Sequence, residues 1–336
     1  MAKRGNSNLH KARKAKNDEF YTQLPDIERE LRHYSGEFKN KTVLCNCDDP
    51  VESNFVEYFS LKFEELGLKK LLATHYIEAA TRRGRKPYML EYTGDKDGNR
   101  VPDPEEFIFK MIGDGDFRSE ECIELLKQAD IVVTNPPFSL FREYLAQLIE
   151  YDKKFLIIGN INAITYKETF KLIKEGKMHV SPYHFNKTLN FEIPDSYENF
   201  SYINADGNKV AAVPAICWFT NLDSPARHED LKLYKKYNKQ EYPKYDNYKA
   251  IEVSKVANIP MDYLGVMGVP ITFLGKHNPD QFEIVGLAND KRDVDPIFIK
   301  GTSTYLDDRH KSFVGMVLKG RAPYARILIR NKKVED

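Results

Sequence analysis

Cysteine and tryptophan are scarce in this chain, with four cysteines and one tryptophan among 336 residues. Cys45 and Cys47 form a C-x-C pair within an apolar run. Cys122 and Cys217 stand alone, and no second pair or histidine cluster has zinc-ligand spacing. The cysteines therefore read as buried thiols, and no metal is expected. No run of about 18 apolar residues occurs, and the N-terminal stretch has no apolar signal core. The expectation is a cytoplasmic protein with no membrane partner. An excess of charge of one sign is also missing: 51 Lys and Arg face 50 Asp and Glu, for a net charge of +1. Bulk electrostatics alone announces no polyanionic partner. With 41% hydrophobic and 30% charged residues the chain is globular in composition, and its length suits one large domain or two modest ones.

The basic residues are unevenly placed. Residues 3–16 hold Lys3, Arg4, Lys11, Arg13, Lys14 and Lys16 and no acid, which makes residues 1–17 a basic arm suited to phosphate contact or to a solvated tail. Arg82, Arg83, Arg85 and Lys86 form a second set in a Gly/Pro-rich stretch. From Lys232 to Lys249, lysines alternate with Tyr234, Tyr237, Tyr242, Tyr245 and Tyr248. Such interleaving suits a phosphate-facing surface or an ordinary solvated segment.

One short run carries specific chemistry. Asp130-Ile131-Val132-Val133-Thr134 is an apolar strand, and it ends in Asn135-Pro136-Pro137-Phe138. Two prolines remove two backbone donors and fix φ, so the carbonyls of Asn135 and Pro136 must find partners outside a ladder. The result is a small acceptor cup beside an aromatic face. A planar NH2 placed there donates one proton to the Asn135 side-chain oxygen and one to the Pro136 carbonyl. That draws the nitrogen lone pair out of conjugation. Phe138 then stacks on a base swung out of its helix. A Pro-Pro turn after a buried strand is the bland alternative for the same residues.

Periodicity places this run in an α/β chain. Thr42 to Cys47 reads as a strand, followed by an acidic loop at Asp48 and Asp49 and a helix marked by Phe55, Phe59, Phe63 and Leu66 and stopped by Gly67. Leu68 to Thr74 is a second strand, and residues 80–106 form a long insertion without apolar period. Phe107 to Ile112 is a third strand, closed by Gly113-Asp114-Gly115-Asp116-Phe117. A helix capped by Ser119 runs to Gln128. The fourth strand carries the Pro-Pro signature, with a helix opening at Ser139. Lys154 to Gly159 is a fifth strand, and Thr165 to Lys174 a further helix. Alternating strands and helices imply a mostly parallel sheet covered on both faces, with ligands at the carboxyl ends of the strands. The acidic loop, the Asp116-Phe117 turn and the Asn135 turn all lie at such ends. Beyond Gly176 the pattern loosens into short strands, including Val210 to Thr220.

Together these residues resemble the S-adenosylmethionine-dependent DNA adenine methyltransferases, most closely the EcoRI-type modification methylases. The resemblance covers nearly the whole chain. It rests on Asp18-Glu19-Phe20-Tyr21-Thr22, Cys45-Asn46-Cys47-Asp48-Asp49-Pro50, Gly113-Asp114-Gly115-Asp116-Phe117-Arg118-Ser119, the stretch from Asp130 to Tyr144, and Gly265-Val266-Met267-Gly268-Val269-Pro270-Ile271-Thr272-Phe273-Leu274. It implies a Rossmann-like methyltransferase sheet with helices on both faces and a C-terminal DNA-recognition region. The expected division is an arm at 1–17, a catalytic core at 18–176 with the insertion at 80–106, and remaining core strands with the target-recognition region at 177–336. Tyr21 and Thr22 would approach the methionine end of S-adenosylmethionine, and Asp48 or Asp49 would serve in the first loop. Asp116 would accept from the cofactor's adenine amine, with Phe117 on its ring. Asn135, Pro136, Pro137 and Phe138 would hold the target adenine, and Phe191 is a second ring for that base or a core side chain. The first loop departs from the pattern, with Glu52, Ser53 and Asn54 where glycines usually stand. Glu78 is the nearest candidate for the acid that holds the ribose. Lys11, Arg13, Lys14, Lys16, Arg82, Arg83 and Arg85 are the expected contacts to double-stranded DNA. The implied activity is site-specific methylation of a flipped adenine, with GAATTC as the sequence suggested by analogy. A cognate restriction endonuclease would belong to the same system without a stable complex. RNA adenine methylation, protein glutamine methylation and non-catalytic DNA binding are the alternatives.

Overall fold

The computed structural model describes residues 21–47, 49–74, 76, 87–99, 102–193, 200–205, 207–288, 316–321, 323, 325 and 326–333. In chain order the strands and helices are β1 (Tyr21–Thr22), α1 (Leu24–Leu31), β2 (Thr42–Cys45), α2 (Asn54–Leu61), α3 (Phe63–Leu66), β3 (Lys70–Thr74), β4 (Tyr88–Tyr92), β5 (Ile108–Met111), α4 (Glu120–Gln128), β6 (Ile131–Thr134), α5 (Phe141–Glu150), β7 (Lys154–Asn160) and α6 (Lys167–Lys174). They continue with β8 (His179–Val180), β9 (Lys187–Ile193), β10 (Tyr202–Ile203), β11 (Lys209–Thr220), β12 (Ala250–Glu252), β13 (Val266–Pro270), β14 (Phe282–Leu287) and β15 (Arg326–Asn331). The described residues fall into two compact units. The first holds those up to Ala163 together with Tyr183–Asp223, and the second holds Ile164–Pro182 and those from Ser224 onward.

The first unit is built on a sheet ordered β1-β9-β11-β7-β6-β2-β3-β4-β5. Its centre is parallel: β2 pairs with β3 and β6, and β6 with β7. Val43, Leu44, Ile131, Val132, Val133, Leu156 and Ile157 are buried along these strands, as a sheet covered on both faces requires. Local signals set the connections. Ser53 caps α2 by accepting from the Phe55 amide at 3.2 Å, and Gly67 ends α3 with φ at 61°, a conformation most residues resist. Ser119 caps α4 by accepting from the Cys122 amide at 3.3 Å.

Several expectations change here. The sheet is mixed, because β4, β5, β11, β9 and β1 flank the parallel centre with antiparallel pairs. The stretch 80–106 contains β4, a short apolar run that finds its partners in β3 and β5. The first strand stops at Cys45, so Cys47 lies beyond the ladder and does not share a strand face with it. The helix after the Pro-Pro turn begins at Phe141, because residues 138–140 are spent in a turn closed by Leu140 N donating to Pro137 O at 2.9 Å.

The second unit has a four-stranded sheet ordered β12-β13-β15-β14. Tyr245, Tyr248, Ala250, Val266, Met316 and Leu328 form a core cluster in it. Gly268 sits where a Cβ would meet Tyr245 Oη at 2.5 Å and Met316 Cε at 2.6 Å, which explains a glycine in that strand. Tyr242, Tyr245 and Tyr248 are buried, so they are core residues and not part of a phosphate-facing surface. Lys232, Lys235, Lys236, Lys239, Lys244 and Lys249 are exposed around them.

Candidate active site

The carboxyl ends of β2, β3, β6 and β7 lie on one edge of the first unit's sheet. Because β4 runs against β3 and β5 against β4, β5 points the same way and ends on that edge too. The loops that leave these ends are the ones the sequence singles out.

At the end of β6, Asn135 and Pro136 are buried and Pro137 and Phe138 are half-buried. Phe138 packs against the core of the unit with the part of its ring that solvent does not reach. Among the described residues no hydrogen bond is made to the Pro136 carbonyl, whereas Pro137 O is used by the Leu140 amide.

Past β5, Asp116 is held by Arg118 as a fork. Arg118 Nε donates to Oδ1 at 2.8 Å, Nη2 to Oδ2 at 2.6 Å and the Arg118 amide to Oδ1 at 2.9 Å. These hydrogen bonds hold the Asp116 carboxyl below the ordinary carboxylate range against the opposing effect of burial. Oδ1 is filled by two of these bonds, whereas Oδ2 accepts only one and keeps a further acceptor site. Arg118 Nη1 also reaches Glu143 on α5 at 3.3 Å, and its guanidinium carbon lies 5.3 Å from the centre of the Phe117 ring. Phe117 is buried, meets Tyr144 edge-on at 5.1 Å, and its carbonyl accepts from Gln147 Nε2 at 3.0 Å.

Tyr144 joins this turn to the loop after β2. Its hydroxyl donates to Asn46 Oδ1, with the Cys47 thiol 3.8 Å from the same oxygen. Burial drives the Tyr144 phenol well above its ordinary value, so it stays a donor. Further along the loop, Asp49 Oδ1 accepts from the Val51 amide at 2.9 Å and from Tyr88 Oη at 2.8 Å, and the Ser53 amide donates to Asp49 O at 2.8 Å. Burial, then the bond to Asp49, raises the Tyr88 phenol. Asn54 Nδ2 donates to Thr22 O at 2.7 Å, which ties β1 to the start of α2.

The structure thus gathers Asp116, Phe117, Asn135, Pro136, Pro137 and Phe138 on one edge, with Asp49 in the adjoining loop and Thr22 linked to it through Asn54. Asp48, Glu78, Arg82, Arg83, Arg85, Lys86 and the arm with Lys11, Arg13, Lys14 and Lys16 lie outside the described residues, and of Tyr21 only the backbone is described. Phe191 is a fully buried core side chain on β9, paired with Thr22. Three residues that the sequence does not single out pack or bond beside these site residues: Asn46, inside an apolar run, Tyr144, in an apolar helix stripe, and Arg118. Only Arg118 had a sequence signal, as the cation next to the Asp116-Phe117 pair. Thr22 and Thr134 carry buried hydroxyls that meet no partner among the described residues, the kind of leftover donor that a polar ligand satisfies. Asp95, Asp97 and Glu106 each bring an oxygen within 4.8 Å of the others, but both Glu106 oxygens already accept from backbone, those of Lys96 and Asp103. No helix among the described residues is long and apolar enough to cross a membrane.

Against known proteins, residues 8–332 match the family described as adenine-specific methyltransferase EcoRI. The chain is 48% identical to the type II methyltransferase M.EcoRI of Escherichia coli over 340 residues, covering 98% of each chain. It is 39% identical to the type II methyltransferase M.MpnI of Mycoplasma pneumoniae, covering 97% of this chain and 98% of that one. It is also 38% identical to the type II methyltransferase M.MgeORF184P of Mycoplasma genitalium, covering 97% and 99%. With a match that spans both units and the whole strand-end edge, the chain belongs to the family of adenine-specific methyltransferase EcoRI.

Proposed function

We propose that this protein is a site-specific DNA adenine methyltransferase, the modification enzyme of a type II restriction system. The observation that carries the reading is the acceptor cup of Asn135 and Pro136 with the Phe138 ring, on the same sheet edge as the Asp116-Phe117 pair. S-adenosylmethionine, the methyl donor in this reading, supplies a methyl group on a sulfonium, a leaving group good enough to spare the enzyme a strong general base. The chain's donor set fits it. Asp116, kept ionised by Arg118, is an acceptor for an adenine amine. Phe117 supplies an apolar wall, and Thr22 and Asp49 offer polar groups in the neighbouring loops. Tyr21, Asp48 and Glu78 complete the proposed cofactor contacts.

At the substrate, Asn135 Oδ1 and Pro136 O each accept a hydrogen bond from one N–H of the target amine, and the nitrogen lone pair leaves ring conjugation. Phe138 stacks on the flipped base and Pro137 holds the turn rigid. The excess proton departs to water. Rate enhancement comes from positioning and preorganised acceptors. The first unit is the catalytic part in this reading, and the second, with the basic arm and Arg82, Arg83 and Arg85, serves target recognition. A cognate endonuclease cleaving the same sequence completes the system.

The test is transfer of labelled methyl to duplex DNA, with GAATTC and scrambled duplexes side by side and RNA and protein acceptors in parallel. Label in the GAATTC duplex alone supports both reaction and sequence. Label in other duplexes keeps the reaction and moves the sequence. Label only in RNA or protein, or in nothing, overturns the reading.

A further inference from the structure

The longest strand of the first unit continues beyond the catalytic edge. β11 pairs with β7 through Ile216 to Thr220, and Ile216 is level with Asn160, the last residue of β7. From there β11 runs on to Lys209, paired with β9 on one side. β10 pairs with the same outer stretch, Tyr202 with Val210 and Ile203 with Lys209. The β9 side is already taken at those positions, so β10 occupies the side that β7 holds lower down. It therefore stands past the end of β7, whose other neighbour, β6, ends in the Asn135 cup.

This extension is a built arm. Glu192 on β9 accepts from Asn204 Nδ2 at 2.8 Å and from Asn208 Nδ2 at 3.1 Å, and the Ala212 amide donates to Ser201 Oγ at 2.9 Å. At its root the β9–β11 register shifts between Val213 and Ile216, with Ala215 at φ 61°, a left-handed conformation costly for alanine. Bulges of this kind bend strands beside active sites. Ile216 lies six residue steps from Val210, so the arm rises roughly 20 Å at about 3.3 Å per residue before any bend. That is ample reach over a nucleic-acid groove about 12 Å wide.

The side chains the arm displays are the wrong ones for open water. Phe191, Ile193, Val210 and Val213 are buried, whereas Phe200, Tyr202 and Ile203 are 42%, 46% and 56% exposed in consecutive reach of one another. Lys209 Nζ lies 5.4 Å from the centre of the Phe200 ring, which adds a cation to the apolar set. We infer that this arm is the wedge that the duplex meets when the target adenine leaves its stack: its rings and Ile203 press against the bases bordering the vacated position, and Lys209 faces phosphate. The inference rests on the DNA methyltransferase reading above and deepens it. Its occupant is duplex DNA, because β11 carries the arm outward from the sheet edge on which the Asn135 turn lies, and the arm joins flat apolar groups to a cation. Base extrusion costs a few kcal/mol in lost stacking, and apolar side chains inserted between base steps are a known means of prising a duplex apart at a step.

A wedge predicts a rescue that a structural role does not. The enzyme carrying Phe200→Ala, Tyr202→Ala and Ile203→Ala together, and Tyr202→Ala alone, would be compared with wild type on two duplexes. One has the target adenine paired normally and one has it opposite an abasic position, where extrusion is cheap. Expected is a fall in kcat/KM of about tenfold or more on the paired duplex for the triple variant, recovered to near the wild-type rate on the abasic duplex. Cofactor affinity should not change, and the rise in 2-aminopurine fluorescence at the target position should be lost. Equal loss on both duplexes, or wild-type rates on both, overturns the wedge. So does a change of oligomeric state without a change in transfer, which would make the arm a self-association surface. If wild type methylates no DNA at all, the underlying reading fails and the wedge with it.

Discussion

Each unit buries a tyrosine hydroxyl against a carbonyl or carboxylate oxygen, and the two arrangements differ in what else the acceptor does. In the second unit Tyr245 donates to Glu252, whose carboxylate also takes Arg326 Nη2 at 2.8 Å and Nε at 3.1 Å, so this carboxylate is taken up within a core. In the first unit Tyr144 donates to the neutral amide of Asn46 at the end of β2, and the charged pair nearby, Asp116 with Arg118, stands partly open at the sheet edge. An ion pair whose carboxylate is taken up within a core is a structural element. One that holds a carboxylate ready at an edge has capacity left for a ligand. The difference teaches where substitutions should cost stability and where they should cost chemistry.

The strongest way to break the comparison is Glu252→Ala, which removes the carboxylate that holds Arg326 Nη2 and Nε and should cost about 3–5 kcal/mol in urea unfolding. Cofactor affinity of the folded variant should match wild type, and a loss of affinity would show that this network is not purely structural. On the other side, Asn135→Ala should lower kcat by about 10²–10³-fold, the size seen when a preorganised polar contact is removed, with cofactor affinity and melting temperature near wild type. Near-normal turnover would remove Asn135 from the acceptor cup.

Tyr144→Phe lies between these extremes. It leaves Asn46 Oδ1 buried without its strong donor, and about 1–3 kcal/mol of stability should be lost in thermal or urea unfolding. The smallest effect is expected for Arg118→Met. Cofactor affinity should fall roughly tenfold, or about 1.4 kcal/mol, with kcat at saturation preserved. The sign of its pH dependence follows from the Asp116 carboxyl, which the Arg118 hydrogen bonds depress. In wild type the ionised form, and whatever it contributes, is lost only as pH falls through that depressed value. In the variant the loss should begin at higher pH, nearer the ordinary carboxylate value of about 4. Titrating cofactor affinity from pH 8 downward would show it, and superimposable wild-type and variant curves would deny Arg118 a positioning role.

Much of the first unit was legible because its signals are local. Ser53 and Ser119 cap helices, Gly67 takes a left-handed turn, and the runs at Thr42 and Ile131 are apolar enough to be covered on both faces. In the sequence β4 looks like insertion because Tyr88 to Tyr92 is a short run between a proline and a glycine-rich tract, and only pairing with β3 and β5 makes it a strand. Tyr242, Tyr245 and Tyr248 look like a surface pattern beside their lysines, yet core packing in the second unit turns them inward. The Asn135-Pro136-Pro137-Phe138 turn was readable in full, since prolines restrict the chain before any tertiary contact forms.

By itself, then, the order of residues determined the alternation of strands and helices and the rigid turn at Asn135-Pro136-Pro137-Phe138, because capping, proline geometry and apolar period act over a few residues. Tertiary structure alone decided that Arg118 clamps Asp116, that Tyr144 on α5 reaches Asn46 across ninety-eight positions of chain, and that β10 stands over the end of β7. Those outcomes depend on pairing between distant segments, whose partners are chosen by burial and hydrogen-bond satisfaction over the whole sheet.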